Sequence, residues 1–334
     1  MKDKMKFLVV GCGSIGERHI CNLLSLSAGE ILAHDIDSGR LASIGERYGV
    51  RTYGNFDEAL EQHVDAFIIC VPPSLHIPYA LRGVEHNANL FIEKPLSHSL
   101  EGVDVLLEQA NNKNLVISVG YNLRFHPGLR LVKQLLDDGK IGKIVSAIVE
   151  VGQYLPDWHP WQDYRQLYTA KKEMGGGIIL DGSHELDYIR WLLGEVKEVS
   201  CFTGKVSGLE VETEDTAEII LRFDNGAIAG VHLDFVQRDY SRSCKLIGEE
   251  GTIVWDYPAK NVRVFSAISG LWEQLEIKAE PNDMYVEEMK HFISCIEGKE
   301  MPIVNGVVAR RVLEIALAAK NSSGGIVGIP KDKE

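Results

Sequence analysis

The chain has 334 residues, more than a single hydrophobic core usually fills, since cores stop growing beyond roughly 250 residues; about two domains are expected. Apolar residues make up 45% and charged residues 25%, an ordinary globular balance, and the formal charge of −13 with no local Lys/Arg cluster opposes a phosphate backbone. Nucleic acid is therefore excluded as an expected partner, and the lack of any run near the roughly 18 apolar residues of a membrane span excludes the bilayer.

The opening MKDKMKFLVVG has too short an apolar run for a signal peptide and leads straight into a strand, so a cytoplasmic location is expected. Over the first 120 residues, short apolar runs alternate with helical patterns, as a parallel α/β sheet requires. Strands are expected at 7–10, 31–33, 51–53, 65–71, 89–92 and 115–119, and helices at 16–27, 38–48, 56–62, 75–87 and 99–112. Right-handed crossovers turn that order into a doubly wound, Rossmann-type domain.

Between the first strand and first helix lies Gly11-Cys12-Gly13-Ser14-Ile15-Gly16, the context a dinucleotide fingerprint needs. Gly11 permits the tight turn, Gly13 lets backbone approach a pyrophosphate, and Gly16 lets helix pack on sheet. The N–H groups at the helix start, at Ser14 and Ile15, then face the negative charge. His19 and Arg18, further along that helix, read as packing and surface residues. Asp35 ends the second strand, where a carboxylate accepts ribose hydroxyls and repels a 2′-phosphate, so NAD is favoured over NADP. Asp37 is a close substitute, while Arg40 argues the other way because an arginine can pair with a 2′-phosphate.

The fourth strand runs into Val71-Pro72-Pro73, with His76 just beyond. Prolines stop a central strand and leave either a rigid apolar ledge suited to a nicotinamide ring or a plain strand-to-helix turn. At the end of the fifth strand, Glu93-Lys94-Pro95 puts an ammonium at the carboxyl edge of the sheet, where such folds hold ligands. Glu93 and Lys94 are counted among the cofactor contacts. Lys94 also suits a developing oxyanion during oxidation of an alcohol.

The texture changes after Tyr121, giving a dinucleotide-binding domain over 1–122 and an α+β domain over 123–334. Pro127 fits the first turn of a helix running to about residue 138. From residue 144 the pattern becomes long strands of period two, a large and mainly antiparallel sheet. Asn225-Gly226 offers positive-φ residues for one hairpin, and a second is expected around residues 249–251. Helices follow at 281–297 and 304–320. The six cysteines, Cys12, Cys21, Cys70, Cys201, Cys244 and Cys295, show no CxxC pair and no metal-like spacing, so free thiols and no metal are expected.

Within GGGIILDGSHELDYIRWLLG (175–194), His184 lies three residues from both Asp181 and Asp187, so either carboxylate can fix its tautomer and make it a base. The triple glycine ahead of it is expected to let backbone approach a ligand. The segment QYLPDWHPWQDYRQLYTAKKE (153–173) carries Trp161 and Arg165, an aromatic face for a ring and a fork for an anion. Tyr121, Asn122 and Arg124, at the domain junction, join Asp181 and His184 as expected substrate contacts.

As a set, VVGCGSIGERH, VPPSLH, FIEKPLS, VGYNLRFHP and GGGIILDGSHELDYIRWLLG resemble the Gfo/Idh/MocA family of oxidoreductases over nearly the whole length. The resemblance implies that Lys94 is the active-site lysine, His184 the proton-relay histidine and Asp181 the acid before it. That acid commonly stands four residues ahead in the family, whereas Asp181 is three ahead of His184, which leaves Asp187 and Glu185 as further partners. The resemblance also implies an open-faced second sheet that forms homodimers or homotetramers. The expected function is NAD-dependent oxidation of a hydroxyl on a polyol, sugar acid or nucleotide sugar. The alternative is a non-catalytic dinucleotide sensor of the same fold.

Overall fold

The computed structural model describes residues 4–322 and 324–330. By its contacts the chain groups into two compact units, Met1–Asn122 with Tyr285–Arg310, and Leu123–Met284 with Arg311–Glu334.

The first unit holds six parallel strands: β1 (Lys6–Val10), β2 (Glu30–His34), β3 (Arg51–Tyr53), β4 (Ala66–Ile69), β5 (Asn89–Glu93) and β6 (Ile117–Gly120). Their order, β3-β2-β1-β4-β5-β6, reverses between β1 and β4 and so defines the doubly wound switch point. Crossovers are made by α1 (Ser14–Ser25), α2 (Ser38–Tyr48), α3 (Phe56–Leu60), α4 (His76–Glu85) and α5 (Val103–Asn112). Local chemistry sets several of their ends. Asp37 caps α2 by accepting from the Arg40 N–H at 2.9 Å, and Gly49, at φ 66°, closes it. β4 stops at Ile69, short of the expected residue 71, and the prolines beyond it start a 3₁₀ turn at Pro73–Leu75. The core joins Phe7, Val9, Ile20, Leu23, Ile68 and Phe91 to Met289 and Phe292, which arrive on α9 (Asp283–Ile296).

The second unit opens with α6 (Pro127–Asp137), where His126 caps through Nδ1 and Pro127 takes the first turn. A short helix α7 (Ile178–Asp181) leads through Gly182 into α8 (Ser183–Leu193). The strands are β7 (Ile144–Gly152), β8 (Val196–Gly204), β9 (Thr216–Phe223), β10 (Ile228–Asp234), β11 (Ser241–Gly248), β12 (Gly251–Asp256), β13 (Asn261–Ser266), β14 (Leu271–Glu276) and β15 (Ile326–Gly328). They form one sheet in the order β14-β13-β12-β11-β7-β10-β9-β8-β15, antiparallel at every step except β7 with β10. Period-two alternation buries Val149, Ile219 and Val231 on one face and leaves Ile148, Ile220 and Phe202 exposed on the other. The last long helix, α10 (Gly306–Asn321), precedes β15. At the first hairpin only Gly226 has positive φ (88°), not Asn225, because the connection is a turn closed by Gly226 N–H to the Phe223 carbonyl. Asn225 instead accepts from the Ala227 N–H at 2.9 Å. The second hairpin forms as expected, between β11 and β12.

Candidate active site

In the first unit the three fingerprint glycines answer to different neighbours. A Cβ on Gly11 (φ 90°) would lie 2.7 Å from the Cys70 carbonyl oxygen, and one on Gly16 would lie 1.9 Å from that of Gly11. Gly13 has nothing within 4 Å of such an atom, and α1 begins after it with no side-chain cap. An open approach to bare helical N–H groups at Ser14 and Ile15 is what a pyrophosphate needs. Asp35 follows directly on β2, accepting the Cys12 and Asp37 N–H groups at 2.7 and 2.9 Å and the Arg40 guanidinium at 2.8 Å. Burial alone would raise its pKa, but the backbone donors from Asp37 and Cys12, with Arg40, together hold the carboxyl below its ordinary value. An acidic strand end over an uncapped glycine turn fits NAD. Arg40, the residue that spoke for a 2′-phosphate, is ion-paired to that acid.

His76 is buried, and its Nδ1 and Nε2 lie 2.8 Å from the Pro95 and Val71 carbonyl oxygens. It therefore lies between the Val71-Pro72-Pro73 turn and the Glu93-Lys94-Pro95 turn, and burial, which lowers its pKa, leaves one N–H to donate to either. His19 is buried, as a packing residue should be, and its Nε2 also lies 2.7 Å from the Glu93 carboxylate. The same carboxylate accepts the Lys94 N–H at 3.2 Å. Lys94 is half-buried between buried Glu93 and Pro95. Tyr121 and Asn122 are both buried.

In the second unit, α8 buries Ser183, Glu185, Leu186, Asp187, Tyr188 and Ile189 and leaves His184 partly exposed. Arg124, 5% exposed, forks onto Asp187 through Nε and Nη2 at 2.7 and 2.8 Å. That removes Arg124 from the groups open to a ligand and engages Asp187 with a guanidinium. Glu185 is ion-paired with Arg242 at 2.9 Å. Asp181 accepts a hydrogen bond from the Tyr168 hydroxyl at 2.6 Å. No sequence pattern flagged Arg242, and Tyr168 stood only as one aromatic among many in its segment.

Two of the three glycines stand against the chain's own atoms. A Cβ on Gly176 would lie 2.2 Å from the Tyr168 carbonyl, and one on Gly177 (φ 115°) would lie 2.4 Å from Glu214. Arg165 is exposed, but its guanidinium is shared between Asp163 at 2.8 Å and Glu210 at 3.0 Å. Trp161 is 73% exposed, with its ring edge-on to His159. Among the described residues no helix is long and apolar enough to cross a membrane, and no group of three or more His, Cys, Asp or Glu is placed to hold a metal ion.

Residues 5–121 match the family profile described as an oxidoreductase family with an NAD-binding Rossmann fold, and residues 129–254 match the GFO/IDH/MocA C-terminal domain. The chain is 30% identical to a myo-inositol 2-dehydrogenase from Thermotoga maritima over 95% of this chain and 96% of that one. It is 27% identical to a scyllo-inositol 2-dehydrogenase (NAD(+)) from Bacillus subtilis, over 96% and 95%. The fold superposes with a TM-score of 0.86 on the WlbA dehydrogenase from Bordetella pertussis in complex with NADH and UDP-GlcNAcA, at 22% identity over 99% of each chain.

Proposed function

The chain belongs to the Gfo/Idh/MocA family of NAD-binding oxidoreductases, and from that membership we propose a dehydrogenase of a neutral polyol, with a cyclitol as the first substrate to try. It is an NAD-dependent enzyme acting on CH–OH groups. Two observations support a neutral substrate. A relative 30% identical over nearly the whole chain is a myo-inositol dehydrogenase, and the Arg165 fork is neutralised by Asp163 and Glu210. The acidic substituent that Arg165 suggested loses its partner. Nothing observed favours a non-catalytic sensor.

The observation that carries the assignment of roles is His184, partly exposed while its acidic neighbours Asp187 and Glu185 are engaged by the buried Arg124 and the partly buried Arg242. His184 takes the proton of the reacting hydroxyl, and Asp181, itself fixed by Tyr168, holds the imidazole for that task. Lys94 favours negative charge on the substrate oxygen as the proton leaves. Gly13, Ser14, Ile15 and Asp35 hold the dinucleotide, with the Val71-Pro72-Pro73 turn bordering it. NAD, when bound, supplies the hydride acceptor.

The exposed face of the nine-stranded sheet, with Ile148, Ile220 and Phe202, is assigned to contact between copies as a dimer or tetramer, which sedimentation velocity reads directly. All six cysteines are free thiols, which suits the reducing cytoplasm. The deciding experiment follows NADH absorbance over a panel of cyclitols, hexoses, uronic acids and nucleotide sugars. Neutral cyclitols are expected to give turnover, and Lys94→Ala to abolish it with NAD affinity nearly intact. Turnover on uronic acids alone overturns the substrate, and full turnover in the lysine variant removes Lys94 from the chemistry.

A further inference from the structure

Lys94 sits on a turn flanked on both sides by histidines from different helices. On its C-terminal side, His76 Nδ1 lies 2.8 Å from the carbonyl of Pro95. On its N-terminal side, Glu93 offers one carboxylate oxygen to the Lys94 N–H at 3.2 Å and the other to His19 Nε2 at 2.7 Å. His19 is wholly buried, with its ring edge-on to Phe91 at 5.0 Å and to Tyr285 at 6.4 Å. β6 closes the cage from behind: a Cβ on Gly120 would stand 3.0 Å from the Glu93 carboxylate.

A buried imidazole–carboxylate pair is a poor way to gain stability, because its desolvation offsets most of the attraction and an apolar pair of the same volume does as well. Such a pair does fix geometry. Here its two ends are informative: Glu93 adjoins the proposed catalytic lysine, and His19 lies on α1, the helix whose uncapped start is shaped for the pyrophosphate.

We propose that His19 is a positioning residue which, through Glu93, locks the Lys94 turn to the dinucleotide-binding helix, so that the ammonium is held in register with the bound cofactor. The proposal rests on the role given to Lys94 above. Nε2–H of His19 donates to the Glu93 carboxylate, whose second oxygen then holds the Lys94 N–H. Removing the donor frees the carboxylate to turn and lets the lysine drift while the glycine turn stays intact.

The test compares full-length His19→Leu, which removes the donor, with His19→Gln, whose amide donates from a similar reach, and adds Glu93→Gln in case the leucine variant fails to fold. Each is read in NAD-loaded protein by kcat, by KM, by the NAD dissociation constant and by the Lys94 resonance in [ε-13C]lysine-labelled protein, assigned through Lys94→Arg. His19→Leu is expected to lower kcat by about tenfold or more, since small misplacements of a reacting group cost this much, with NAD affinity unchanged and the Lys94 resonance moved. His19→Gln is expected to return both. The proposal is overturned if His19→Leu leaves kcat and the resonance alone, or if kcat falls only in step with NAD affinity. A wild type inert on every polyol would sink the functional reading, while the Lys94 resonance would still judge the role of His19.

Discussion

Tyr168 reaches Asp181 across thirteen residues of chain, with its hydroxyl 2.6 Å from the carboxylate. A hydrogen bond to a charged group contributes about 1.5–3 kcal/mol, and on the role proposed for Asp181 its loss acts on the transition state. Tyr168→Phe is therefore expected to lower kcat by about tenfold with NAD affinity unchanged, as read by steady-state kinetics and cofactor titration. At this scale the sequence was legible wherever the constraint is local. Gly11 and Gly16 are glycines because backbone stands against them, and motif spacing alone shows that. Partners far apart in the chain were not legible. Nothing near Glu185 points to Arg242, and nothing near His19 points to Glu93, because such pairs are made by strand order rather than by spacing. The partner of Arg124 was hidden for the same reason: its carboxylate, Asp187, lies 63 residues further along the chain.

Elements carry a second set of charges with a measurable signature. On the exposed face of the large sheet, His232 on β10 lies 3.0 Å from Asp234 and 2.6 Å from Glu218 of β9, with Glu150 of β7 opposite it in register. Asp234 chiefly, and Glu218 with it, raise its pKa to about 9 against the opposing effect of burial. The ordinary imidazole value is about 6.5, so the ion pairs contribute in full below that pH, and the contribution is lost as pH rises through 9. His232→Gln is expected to remove this fall, so that wild type and variant converge in melting temperature above pH 9 and differ below 6.5, as scanning calorimetry across that range would show. An imidazole signal titrating near 6.5 by NMR would contradict the prediction. The alternation of β9 and β10 was readable from the sequence, since Ala217, Ile219 and Leu221 alternate with charged and exposed positions. Which strand lies beside which was not, and it is the neighbour that sets this pKa.

At the scale of the whole molecule, α9 is the element whose destination the sequence did not disclose. Its apolar period predicts a helix, but a period says only that one face is buried, not against what. In the structure Met289 and Phe292 enter the core of the first unit, and Phe292 meets Phe91 edge-on at 5.5 Å. Phe91 is on β5, two residues before Glu93, so this packing also backs the strand that presents Lys94. Truncating a buried phenylalanine leaves a cavity that costs about 3–5 kcal/mol, a large share of a domain's net stability. Phe292→Ala is therefore expected to lower the denaturant midpoint and to weaken NAD binding by making the folded first unit less populated. A fragment ending at residue 122 lacks both side chains, so it is expected to bind a hydrophobic dye and to melt without a sharp transition. A fragment that melts cooperatively and binds NAD like the full chain would show instead that α9 packs on a core already complete without it.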